Sequence, residues 1–128
     1  MLDLAEVAEL PDDVAEEMLL AEAEIVEEAQ VSAGKAMGVY DTGQTLASIG
    51  HGKMKLGRGG GRTLYVYPRG VNDKGVRNAE VAFINEFGAP KRGIPARPFV
   101  AAACESAADA AVEAAEKIYD KYLKSKNL

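Results

Sequence analysis

The sequence predicts an α+β protein: a long N-terminal helix and a C-terminal helix packed on a small antiparallel β-sheet with an extended hairpin. Three observations lead there. Apolar residues recur at spacings of three and four over 11–36, and again over 98–123. Between these stretches, Thr63-Leu64-Tyr65-Val66-Tyr67 concentrates β-branched and aromatic residues, as strands do. A glycine cluster, Gly57-Arg58-Gly59-Gly60-Gly61-Arg62, precedes that strand and reads as a hairpin tip. At 128 residues the chain is expected to form one domain, 1–128, with the order α–β–β–(β or α)–α.

The first helix follows a short lead-in, 1–10. Pro11 suits a helix start, and Asp12, Asp13, Glu16 and Glu17 favour the positive end of the helix dipole. Val14, Met18, Ala21, Ile25, Ala29 and Ser32 form the expected apolar stripe. The helix should reach about Ala36 and stop near Gly38. Asp41, Thr42 and Gly43 form a turn motif, with Gly43 able to take positive φ. Gln44 to Ile49 opens with one helical turn and then becomes extended. The Thr63–Tyr67 strand ends at Pro68, and a polar loop fills 69–78. Ala79 to Phe87 is apolar, and its periodicity leaves strand and helix both open. From Asn85 to Phe99 the chain is punctuated by glycine and proline. Pro95 and Pro98 fix their own φ and push Ile94 and Arg97 towards extended geometry. This stiff arm suits reaching a neighbour better than closing a local core. The last helix starts at Pro98 and runs to about Leu123, with Phe99, Ala103, Ala107, Ala110, Ala114, Ile118 and Tyr122 on one face.

Charge is polarised along the chain. Residues 1–34 hold 11 acids and no bases, whereas 35–97 hold 11 bases and 4 acids. Such polarity serves either as a solvated acidic surface or as complementary patches between neighbouring copies. The acidic start does not resemble a secretory leader, and no apolar run is long enough for a membrane span. One cysteine, Cys104, excludes an intramolecular disulfide and fits a reducing compartment.

The residues give little support for catalysis and none for a cofactor or metal. His51 is the only histidine and Cys104 the only cysteine, so no zinc set can be built from them alone. Cys104 reads as a small buried thiol on the alanine helix, and His51, between two glycines, reads as exposed. The glycine cluster lacks the phosphate-loop order and precedes a strand. Lys53, Lys55, Arg58 and Arg62 gather there, which makes a basic finger for non-specific phosphate contact an alternative role. Tyr65 and Tyr67 suit base stacking in principle, but they also fit a core strand. Glu86 has no partner acid and reads as structural, either pairing with a cation of the arm such as Arg97, in its own subunit or the next, or simply solvated.

Two motifs carry a family resemblance. Asp41-Thr42-Gly43 followed by Ser48-Ile49 resembles a D-T-G-x-L-x-x-S-I signature, with Leu46 one residue later than in the pattern. Glu86-Phe87-Gly88 followed by Ile94-Pro95-Ala96-Arg97-Pro98-Phe99 resembles E-F-G-T-x-x-x-P-A-R-P-F-L. Here Ala89 and Val100 replace threonine and leucine, and 90–93 makes a longer arm. Both signatures belong to the tail-completion or head–tail joining family of long-tailed phages and prophages, the gene-product-ten family of phage Hong Kong ninety-seven. A virion-morphogenesis family of Mu-like phages has a similar proline-rich motif. The resemblance implies a non-enzymatic virion protein, assembled in the host cytoplasm as a homo-oligomeric ring, six-fold in expectation, at the neck or top of the tail. Its partners would be neighbouring neck or tail proteins. The implied interface comprises Glu86, Phe87, Gly88, Pro95, Arg97, Pro98 and Phe99, with Arg97 as charged anchor and Phe99 either as apolar anchor or as a plug of its own core at the helix start.

Overall fold

The fold is α+β, with two long helices side by side and an interrupted hairpin laid along the first. The structure is a computed structural model that describes residues 10–39, 43–57 and 61–126. Helix α1 spans Asp12–Ala36, α2 is the single turn Gln44–Ala47, α3 spans Asn78–Phe87 and α4 spans Phe99–Ser125. Strands β1 (Ile49–His51), β2 (Lys55–Leu56), β3 (Arg62–Thr63) and β4 (Val66–Pro68) lie between α2 and α3.

Helix α1 ends where the sequence says it must. Gly38 takes φ +78, its N–H reaches Lys35 O at 3.2 Å, and Val39 N–H reaches Gly34 O at 2.8 Å. This paired arrangement of a left-handed glycine and back-bonded amides caps the helix and turns the chain. Its buried seam is rotated from the expected stripe. Ala15, Met18, Ala23, Gln30 and Gly34 are buried, whereas Ser32 is exposed. At Gly34 the Leu46 side chain occupies the space a Cβ would take. The seam thus follows close approach, not side-chain hydrophobicity. On α4 the seam keeps a strict four-residue step through Phe99, Ala103, Ala107, Ala111, Ala115 and Tyr119. The expected face shifted to a three-residue step after Ala107, so it missed Ala111, Ala115 and Tyr119.

The core sits at the two ends of the helix pair. Leu10, Met18, Ala115 and Tyr119 form one cluster, backed by Val14, Ile118, Tyr122 and Leu123. Val39, Leu46, Ala82 and Phe99 form the other. Alanines between the clusters bring the helices close but remove little apolar area from water. Large side chains at the ends therefore dominate the hydrophobic stabilisation, each contributing about 1.5–3 kcal/mol when fully buried.

Strands β1 and β4 pair antiparallel with Gly50 opposite Tyr67, and β2 and β3 pair with Lys55 opposite Thr63. Gly52 N–H donates to Tyr65 O at 3.0 Å, joining the two ribbons into one long hairpin. Between the ribbons three residues, 52–54, face two, 64–65, so the register slips by one. That is a bulge, and it splits the strand expected over Thr63–Tyr67 into two short pieces. The hairpin is pinned to α1 at both ends. His51 Nδ1 lies 2.7 Å from Glu27 Oε1, and Arg62 lies 2.9 Å from Asp12 Oδ1 while donating to Leu10 O at 2.6 Å. Part of the acidic–basic polarity is thus satisfied within one chain.

Candidate functional site

Residues 79–87 resolve as helix. Asn78 and Ala82 are buried on one face of α3, and Val81 and Asn85 are partly buried beside them. The other face carries Phe83 and Phe87, each 63 % exposed. Their ring centroids are 4.8 Å apart at an interplanar angle of 51°, so they form one apolar projection. The i, i+4 spacing that pairs them is visible in the sequence once the segment is read as a helix.

The expected arm does not reach outwards. It folds back on the end of α3: Ala89 and Ile94 exchange backbone hydrogen bonds at 2.9 and 3.1 Å, and Arg97 N–H donates to Asn85 O at 2.6 Å. Gly88 makes this closure fit. Its φ is +74, and a Cβ there would lie 2.8 Å from both Ala96 N and Ile94 O. Proline fixed the arm's stiffness, but a left-handed glycine set its direction. Pro95 and Pro98 are exposed along the closed arm, and Arg97 is half-buried. The arm, α3 and Gly38 enclose a cleft of about 480 Å³ lined partly by Arg92 and Arg97.

Phe99 is fully buried in its own core cluster. The expectation of an apolar anchor for a neighbour is therefore corrected, since this ring already fills the space under α2 and α3. Glu86 is structural, as expected, but not through Arg97 of its own chain. Its carboxylate accepts N–H bonds from Val100 at 2.7 Å and Ala101 at 3.2 Å, and the described residues show no ion pair between Glu86 and Arg97. Pro98 sits at the N-cap of α4 and supplies no side-chain cap. Glu86 takes over that role from a neighbouring helix, satisfying two amides and complementing the dipole.

Glu86, Phe83 and Phe87 border a groove of about 450 Å³ whose other wall is the hairpin base, Val66, Tyr67 and Pro68. Val100 and Ala101 of α4 and Gln30 of α1 complete it. The sequence signalled Phe87 but not Phe83, Tyr67 or Gln30. A glutamine inside an acidic helix carries no signal of burial.

The basic hairpin is divided in role. Lys53 and Lys55 are exposed, whereas Arg62 is partly buried and held by Asp12 and Leu10. Arg62 is thus a structural cation. Arg58, Asp41 and Thr42 lie outside the described residues; Gly43 takes φ +79 at the start of α2, as expected. Tyr65 and Tyr67 are 56 % and 40 % exposed, not core residues. Lys55 Nζ lies 5.5 Å from the Tyr65 ring centroid, and Arg69 lies 5.9 Å from that of Tyr67. Cys104 is exposed, contrary to the buried thiol expected on an alanine helix. Four-residue stepping turns it away from α1.

Burial raises the Glu22 carboxyl above its usual value of 4.5. Among the described residues no group of three or more His, Cys, Asp or Glu could hold a metal ion, and no helix is long and apolar enough to cross a membrane. Comparison with known proteins gives no match: no protein-family model, no curated protein and no solved structure matches the chain.

Proposed function

We propose that the chain is an assembly subunit, a structural protein whose exposed apolar groove is completed by another polypeptide. The observation that carries this reading is the tilted, contacting Phe83–Phe87 pair at the mouth of the groove. Two large rings held in water next to an apolar cleft cost solvation free energy that a partner recovers. Within that class, the Glu86–Gly88 and Ile94–Phe99 motifs favour a phage or prophage tail-completion or head–tail joining protein that forms a ring at the neck or top of the tail. The same motif that resembles the family builds the groove: Glu86 fixes the start of α4, Gly88 closes the arm, and Phe87 stands at the rim. Deleting the reading frame from the genome that carries it should leave DNA-filled heads and unattached tails. The wild-type chain should rescue joining, and Phe83→Glu/Phe87→Glu should not. Intact infectious particles after the deletion would refute the reading.

A second reading is favoured by the hairpin face. Two exposed tyrosines at i, i+2, each beside a cation, suit stacking of single-stranded bases with phosphate contact. It predicts binding of a single-stranded oligonucleotide that weakens steeply with salt and is lost in Tyr65→Ala/Tyr67→Ala. No binding at low salt excludes it.

A further inference from the structure

Gln30 is 3 % exposed and lines the groove. Along one wall β4 pairs, among the described residues, only with β1, which leaves its other edge without a strand partner there. Along the other stand Phe83 and Phe87. An open strand edge and an apolar cleft together match an extended polypeptide, which offers backbone amides and alternating side chains. Exposed acids lie on the bordering helices: Glu80 one turn before Phe83 and Glu105 one turn after Ala101. The occupant they favour is cationic as well as apolar.

This chain carries such a segment. Lys53-Met54-Lys55-Leu56 alternates cation and apolar residue, and Leu56, at 68 %, is the most exposed large apolar side chain among the described residues. It lies beyond the bulge, on the part of the hairpin remote from the β4 wall. The hairpin is pinned to α1 at Glu27 and at Asp12, positions about 22 Å apart at ~1.5 Å per residue. Segment and groove therefore sit at different ends of one subunit, and their contact is head-to-tail between copies, the kind that builds rings. We propose that residues 53–56 of one copy seat in the groove of the next, with Leu56 against Phe83 and Phe87 and the lysines at the acidic rim. This rests on the assembly reading and specifies which surface meets which.

Disulfide trapping tests it. In a Cys104→Ala background, full-length Leu56→Cys and Phe87→Cys chains are mixed and oxidised, and the mixed dimer is quantified by intact mass. Val112→Cys with Phe87→Cys is the control, because Val112 is also well exposed, at 54 %. The 56–87 pair should cross-link at least tenfold faster than the control pair. Light scattering on the unoxidised mixture separates the two levels of the claim. Oligomers with no preference for the 56–87 pair overturn this contact and leave the assembly reading standing. Monomers throughout, with no preference, overturn both.

Discussion

Replacing Glu86 with alanine removes the acceptor for two amides at the start of a 27-residue helix. Losing a helix cap costs about 0.5–2 kcal/mol. Removing a carboxylate from the positive end of the dipole costs about 0.3–1 kcal/mol more. A total of about 2 kcal/mol is expected. For 128 residues the unfolding entropy is about 0.27 kcal/mol/K, so the Tm should fall by about 7 °C. Glu86→Gln keeps one neutral acceptor and should lose about half as much. Circular dichroism melts at 222 nm, with the exposed Glu105→Ala as reference, measure the difference. A Glu86→Ala shift within 1–2 °C of the reference would refute the capping account and return Glu86 to the surface, free for a partner.

Three further outcomes follow from the same geometry. Phe99→Ala should cost about 3–5 kcal/mol in urea unfolding, because it empties a fully buried site, and it should impair folding and assembly together. Gly88→Ala should destabilise by more than about 2 kcal/mol, since it adds a left-handed backbone penalty to a clash with the arm; near-neutral melts would mean the arm is not closed there. Glu22→Gln should stabilise the protein at neutral pH. The folded state holds the Glu22 proton more tightly than the unfolded state, so the burial penalty is absent below the unfolded value near 4.5 and complete above the raised folded value. The gain from Glu22→Gln should therefore shrink as pH falls through that window, which denaturant titrations at several pH values would show.

The helix ends were legible because their signals are local. Pro11, the acids after it and Gly38 each act within one turn, and the structure places α1 where they indicate. Seams were less legible because they depend on what approaches. Gly34 and Gln30 look unsuited to a core, yet Leu46 packs against the one and the helix pair buries the other. On α4 nearly every face is alanine, so composition could not distinguish the side carrying Ala111 from the side carrying Cys104. Residues 81–84 are uniformly apolar and hide their period; the buried Ala82 beside the exposed Phe83 shows it only in three dimensions. The arm's prolines predicted stiffness correctly but not direction, which Gly88 and the Ala89–Ile94 bridge determine. Of the interface expected from the motif, Phe87 and Pro95 are exposed, whereas Phe99 and Glu86 serve the subunit's own fold.

The assembly claim is tested most directly by the mass of the protein in solution as concentration rises. The subunit is 13.6 kDa, and a discrete multiple of that mass should appear. Its population should fall at least tenfold in Phe83→Glu/Phe87→Glu, whose melting temperature should match the wild type because both rings are exposed. A species that stays at 13.6 kDa up to the solubility limit, or an oligomer indifferent to both substitutions, would contradict the account.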